Sequence, residues 1–351
     1  MNLVERLKQE NVNMGGIGVN FQRTCRVPQG KVNGLPAGLG SFPVYKVSDF
    51  STGAPGNWHK EGFFMPMYRQ EAMWISFRRN YSDPKALVIG AGNINAISGK
   101  PFDPSKNKLC GNRGNTKEGV EVKLEGEQNY IVTPPQPWLD GWKAKDGKVY
   151  QFVAAELGSG ETVEGQITGE ETVGGIQFIV YGAKDGKKLI SQTTPNTHQI
   201  GGSWTSGYGG TLESATTFGG PLYNLKSSGI RCCSAGSFSA APREMGLGKG
   251  GEISQKIYPD PYGIEVWNSS PESVSMLYLV SSEDFRQITG QSAPSTPVTF
   301  EEYQRQGLPW FELGDKVYQD TPGSGIVDNL KPVGNGENQK YDPFAILTPK
   351  K

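Results

Sequence analysis

A set of anchor residues occurs twice along the chain in the same order, and this limits the fold more than any other feature. The first set is Pro66-Met67-Tyr68-Arg69-Gln70-Glu71-Ala72-Met73-Trp74, then Ile97-Ser98-Gly99, then Pro137-Trp138-Leu139. The second is Pro261-Tyr262-Gly263-Ile264-Glu265-Val266-Trp267, then Ile288-Thr289-Gly290, then Pro309-Trp310-Phe311. Tyr precedes Glu by three residues in both, and Trp precedes Gly by 25 residues in one and 23 in the other. Aromatic strands and glycine turns recur in any β-rich protein, but a shared order at near-equal spacing indicates an internal duplication. Tyr68, Glu71, Trp74, Gly99, Pro137 and Trp138 are then the expected core anchors of one block. Tyr262, Glu265, Trp267, Gly290, Pro309 and Trp310 are those of the other. The first block differs by a hydrophilic insertion near 103–128.

The expected fold is mostly β with minor helix, in two pseudo-symmetric halves. Gly and Pro, 48 and 24 residues, make about a fifth of the 351 positions, against roughly 12% in average usage. Both are poor inside regular elements, so short strands and long ordered loops follow. Strand runs lie at Ala72–Phe77, Ala86–Ile89, Tyr130–Thr133, Val149–Val153 and Ile176–Tyr181, with hairpin signals at Asp146-Gly147 and Asp185-Gly186. Leu3, Val4 and Leu7 share one face of a short helix. Ser282–Ile288 reads as a helix stopped by Gly290, and Thr299-Phe300-Glu301-Glu302 as a capping box for a helix closing at Gly307. A short helix is expected before Gly99 as well. The resulting division is a helix and extended arm over 1–60, a first β-rich repeat over 61–200, a Gly/Ser-rich connector over 201–250, a second repeat over 251–320 and an extended tail over 321–351.

Residue chemistry announces no reaction. Gly90-Ala91-Gly92-Asn93-Ile94-Asn95 follows a strand, but the third position of a dinucleotide fingerprint is Asn, and Pro101 comes too soon for the phosphate-facing helix. His59 and His198, the only histidines, lack companions at metal-ligand spacing. Cys232 or Cys233 with His198 is a conceivable thiolate pair, although a structural Cys is the commoner case. Glu71 and Glu265 invite a paired-carboxylate mechanism, against the plainer reading of shared packing, such as capping a loop or pairing an Arg. Trp74, Trp138, Trp267 and Trp310 could stack on sugars, against the plainer reading of core anchors. We therefore expect no enzyme, cofactor or metal, with a carbohydrate- or ligand-binding β-domain as the alternative.

Other features point to self-association. Lys plus Arg and Asp plus Glu are 35 each, which removes self-repulsion and argues against a nucleic-acid binder. No run of about 18 apolar residues is present to span a membrane, and Met1–Leu7 lacks the apolar core of a secretory signal. The four Cys are too few for a disulfide scaffold and read as reduced and intracellular. Tyr341, Phe344, Ile346 and Leu347 follow the polar linker 334–340 as an apolar hook, a candidate latch onto another copy or onto its own domain.

Met67-Tyr68-Arg69-Gln70-Glu71-Ala72-Met73-Trp74, Tyr258-Pro259-Asp260-Pro261-Tyr262-Gly263 and Gly307-Leu308-Pro309-Trp310-Phe311 resemble the motifs of the pyrenoid-shell proteins of diatoms and related algae, with relatives in bacteria and fungi. The resemblance covers about residues 60–320. It implies two similar β-rich halves, terminal segments that latch neighbours, and polymerisation into a sheet or tube around the Rubisco condensate. It also implies the chloroplast stroma at the pyrenoid periphery and support of CO2 concentration. The motifs carry over as structural elements only.

Overall fold

Side chains in a strand alternate between opposite faces, and in most strands of this protein both faces are buried. The computed structural model describes residues 3–334, apart from 79, 81, 102, 104–107, 112–126, 146, 186–188, 190–196, 201–241 and 314–319. Strands are numbered along the chain. The main sheet follows the path β1 (Val12–Met14), β2 (Ile17–Thr24), β7 (Ala72–Arg78), β13 (Lys148–Glu156), β16 (Glu244–Ser254), β17 (Ser273–Ser281), β14 (Ile176–Tyr181), β8 (Lys85–Ala91), β10 (Ile131–Thr133). β6 (Phe63–Met67) adds in parallel to β17 and carries β5 (Tyr45–Lys46). Short pieces complete it: β3 (Val32–Asn33) on β16, β9 (Ile94–Asn95) on β8, β11 (Trp138–Leu139) on β7 and β12 (Gly141–Lys143) on β13. A small second sheet joins β15 (Thr197–Ile200), β18 (Trp310–Leu313) and β4 (Leu35–Pro36). The described residues are mostly β, as expected.

The main sheet curls over on itself. Phe21 of β2 and Phe178 of β14 have four strands between them along the path, yet their rings meet edge to face at 5.9 Å. Two layers therefore face each other, joined where β16 passes from β13 to β17 at Glu244 and Met245. The inner core holds Phe21, Ile75, Ile89, Phe152, Phe178 and Leu277. Alternation sends other residues of the same strands outward. On β14, Ile179 and Tyr181 pack with Tyr130, Tyr262 and Trp267. On β6 and β17, Phe64, Tyr278 and Val280 lie beneath Tyr45, Phe50, Trp58 and Phe285. Loops crossing the outer face thus build cores of their own, which explains near-continuous apolar runs such as Ile176–Tyr181.

Among the described residues four short helices punctuate the strands: α1 (Leu3–Leu7), α2 (Val163–Thr168), α3 (Phe285–Thr289) and α4 (Phe300–Arg305). Thr299 caps α4 by accepting from the Glu302 amide, and Gly290 closes α3 with φ of 72°. The turn before Gly99 is one open helical turn rather than a helix, held by the Asn95 carboxamide accepting from the amides of Ile97 and Ser98. Gly147 is the left-handed residue between β12 and β13, and Gly186 lies outside the described residues.

Three segments differ from expectation. Residues 12–46 are not an arm but contribute β1 to β5, and β2 pairs with β7 from Gly18↔Arg78 to Thr24↔Ala72. The Gly-rich stretch at 244–250 is not connector but the start of a central strand. A Cβ at Gly248 would lie 2.3 Å from Val333 Cγ2, and one at Gly251 2.6 Å from the carbonyls of Val27 and Pro28, so glycine admits close neighbours there. Residues 320–334 pack onto the fold, since Val327 and Val333 are fully buried and the Val333 amide donates to the Lys249 carbonyl at 2.9 Å.

The two anchor blocks meet in the main sheet only in their middle parts, since Trp310 lies on β18 of the small sheet. β8 with its turn to Gly99, and β17 with α3 and Gly290, both run antiparallel to β14 on its two sides. Upstream the blocks diverge. Trp74 lies on β7 in the other layer, whereas Trp267 follows a 3-10 turn at Ile264–Val266.

Candidate functional site

The first motif is a tie between strands. Tyr68 to Glu71 is a turn in which the Glu71 amide donates to the Tyr68 carbonyl at 3.0 Å. Gln70 takes φ of 65°, a conformation costly for a residue with a side chain, held by its amide on Ala154 at 2.8 Å and by Arg26 donating to its carboxamide at 2.9 Å. Glu71 is 1% exposed. Its Oε2 accepts from the Tyr68 amide at 2.8 Å and its Oε1 from Arg23 of β2 at 2.6 Å. Arg23 also donates to the Ser295 carbonyl, and the Tyr68 hydroxyl to that of Pro294. Burial raises the Glu71 carboxyl, while Arg23 and the Tyr68 amide pull it back down. Glu71 thus caps a loop and pairs an Arg. Beside it Trp74 and Trp138 are buried with ring centroids 6.2 Å apart, and the Pro137 carbonyl accepts from Phe77.

The second motif is organised by Asp260. Its carboxylate accepts from the Tyr130 hydroxyl at 2.6 Å, Trp267 Nε1 at 2.7 Å and the Tyr262 amide at 2.8 Å. Tyr262 and Trp267 meet edge to face at 5.9 Å, which closes this loop over the outer face of β14. Glu265 is exposed on the 3-10 turn, so, unlike Glu71, it is not a core anchor. Gly290 is likewise exposed at its helix end, serving the turn rather than the core. The third motif packs a half-buried Trp310 against Phe300 and Tyr303 at 6.0 and 5.0 Å, and the Pro309 carbonyl accepts from the Tyr303 hydroxyl.

The remaining candidates separate. Gly92 and Asn93, both at positive φ, turn β8 back onto β9, so the Gly90–Asn95 run is a hairpin with no phosphate-facing helix. His59 is exposed, and His198 lies on the backbone of β15. Cys232, Cys233, Tyr341, Phe344, Ile346 and Leu347 lie outside the described residues. Cys25 is buried, and that burial raises its thiol far above the usual range, which disfavours the reactive thiolate. Among the described residues no cluster of His, Cys, Asp and Glu could hold a metal ion, and no helix is long and apolar enough to cross a membrane.

Buried polar ties were the features motif reading missed. Lys143, fully buried, pairs with Asp320, which also accepts from the Ile257 amide at 2.8 Å. Asp140, 2% exposed, accepts from Gln255 Nε2 at 2.8 Å. Burial pushes the Asp140 carboxyl up to about 8, against the bonds from Gln255 and Trp138. The folded protein therefore holds this proton where the unfolded chain, with a pKa near 3.9, has released it. The Asp140 contribution is fully present below about pH 4, erodes as pH rises, and is lost through about pH 8. Asp140→Asn removes that slope. Urea unfolding at about pH 5 and about pH 9 should show wild type losing ground to the variant at the higher pH; parallel behaviour would refute the assignment.

Compared with known protein families, with characterised proteins and with solved structures, the chain matches none.

Proposed function

We propose that this chain is a non-enzymatic structural protein that associates with further copies of itself into a sheet or tube. In this reading the assembly is the shell around the Rubisco-containing pyrenoid in the chloroplast stroma, and it supports CO2 concentration there. The observation that carries the reading is what the three motifs of the resemblance do. Glu71 ties β2 to the Tyr68 turn, Asp260 locks the Tyr262–Trp267 loop over β14, and Pro309-Trp310 anchors α4. Such residues serve framework rather than chemistry. The sugar-stacking alternative loses its platforms, because Trp74, Trp138 and Trp267 are at most 5% exposed and Trp310 rests against two aromatic rings.

Zero formal charge lets copies approach without net repulsion, and a heterologous contact that does not close on itself extends without limit. The partners are further copies and the Rubisco condensate; nucleic acid and membrane insertion have no part in this reading. Electron microscopy of the purified protein at neutral pH, beside sedimentation velocity, tests it. Sheets, tubes or filaments with fast-sedimenting species are expected, and a discrete monomer or dimer at high concentration would overturn it.

A further inference from the structure

The outer face of the β14–β17 layer is covered at both ends, by Trp58 over Tyr278 and by Trp267 over Tyr181. Between these covers a cleft of about 520 Å³ remains open, within the roughly 300–1,000 Å³ of small-molecule sites. Gln177 lies in its wall, 3% exposed, and neither its Nε2 nor its Oε1 has a hydrogen-bond partner. The reason is its register. Gln177 stands opposite Gly90 on one side, which has no side chain, and Met276 on the other, which offers no partner. Leaving buried amide atoms unpaired is costly, so this is a polar pair held ready in a strand whose other residues are apolar.

The surroundings define what would satisfy it. Met276, Val173 and the ring of Tyr278 supply apolar wall, while Asn57, Asn93 and Glu244 supply planar polar groups at the rim. Asn57 already donates to Glu244 at 3.2 Å, which orients both. Lys60 and Glu61 are exposed and opposite in sign, the half-buried Glu244 carboxylate already accepts from Asn57, and the buried Gln177 is uncharged, so a neutral ligand suits the unpaired amide better than an ionic one. Hydroxyls both donate and accept, and can therefore engage Nε2 and Oε1 together while a C–H face rests on Met276. Two other clefts, of about 480 and 430 Å³, lack such a group, since Asn95, Asn129 and Glu164 are already bonded. We propose that the Gln177 cleft binds a neutral, polyhydroxylated ligand of about monosaccharide size.

The experiment is isothermal titration calorimetry of the full chain with glucose, galactose, mannose and N-acetylglucosamine in turn. At least one should give saturable binding, weakened at least tenfold by Gln177→Leu, which keeps the volume and removes the amide. In the sugar-free protein Gln177→Leu should unfold at no lower a temperature than wild type, because two unpaired atoms are gone. Should that variant fail to fold, the amide has partners and the proposal falls. Val173→Trp, which fills the cleft from its rim, should abolish binding independently. No heat with any of the four sugars, or binding unchanged in either variant, would overturn the proposal.

Discussion

Glu71→Ala is expected to lower the unfolding free energy by about 3–5 kcal/mol, the range for removing one partner of a buried ion pair. Arg23, with only 14% of its side chain exposed, would be left without its carboxylate in the interior. The Tyr68 amide would lose its acceptor at the same time, in a turn already strained at Gln70. The damage also spreads, because the same arginine holds Ser295 in the segment between α3 and α4. Glu71→Gln keeps an acceptor for Tyr68 and most of the volume, and should cost less. Urea unfolding of the three proteins measures this; an alanine variant within about 1 kcal/mol of wild type would show that Glu71 is not a tie. Glu265→Ala, from an exposed turn, should change stability by no more than about 0.5 kcal/mol.

Much of the fold was legible in the sequence because local chemistry and tertiary packing agree there. Ile176–Tyr181 is β-branched and aromatic at every position but Gln177 and forms β14. The Thr299 N-cap and the Gly290 stop appear as written, since an N-cap hydroxyl and a left-handed C-terminal glycine act within one turn, whereas the Glu302 carboxylate of the expected capping box accepts from Arg305 and Gln306 instead. Where composition and packing disagreed, composition misled. The run Gly246–Gly250 reads as connector, yet it lies in a central strand, with glycine required at 248 by Val333 pressing on it. Residues 17–24 read as arm because Gly and Asn interrupt them, although Ile17, Val19 and Phe21 alternate as a strand requires and are buried.

The site was less legible, and for a physical reason. Whether a glutamate is an anchor or a surface group depends on what faces it. Glu71 meets Arg23, 48 residues away in sequence, whereas Glu265, at the same motif position, faces solvent. Asp140 and Lys143 carry no local signature, and that of Gln177 is slight, because Gln255, Asp320 and the absence of a partner at Gly90 are distant in sequence. One cue existed for Gln177: a lone polar residue inside an apolar run.

Deleting residues 335–351 is expected to dissolve polymers into discrete particles while leaving the fold unchanged. The boundary is set by packing. Val327 and Val333 are fully buried, Lys249 Nζ donates to the Asp328 carbonyl at 2.6 Å, and Gln166 exchanges hydrogen bonds with Lys331 at 2.7 and 2.9 Å. A cut at 321 would strip these contacts and unfold the protein, since each buried valine alone contributes about 1.5–3 kcal/mol. A cut at 335 removes none of them. The expectation rests on Tyr341, Phe344, Ile346 and Leu347 as a latch onto another copy: burying three such apolar side chains would be worth on the order of 5 kcal/mol, more than three powers of ten in affinity. Phe344→Asp should then mimic most of the deletion, because a buried unpaired charge opposes docking. Sedimentation velocity and electron microscopy read the assembly, and thermal unfolding reads the fold. Polymers that persist after the 335 cut would remove the tail from the contact, whereas a lowered melting temperature would show that the tail docks on its own domain.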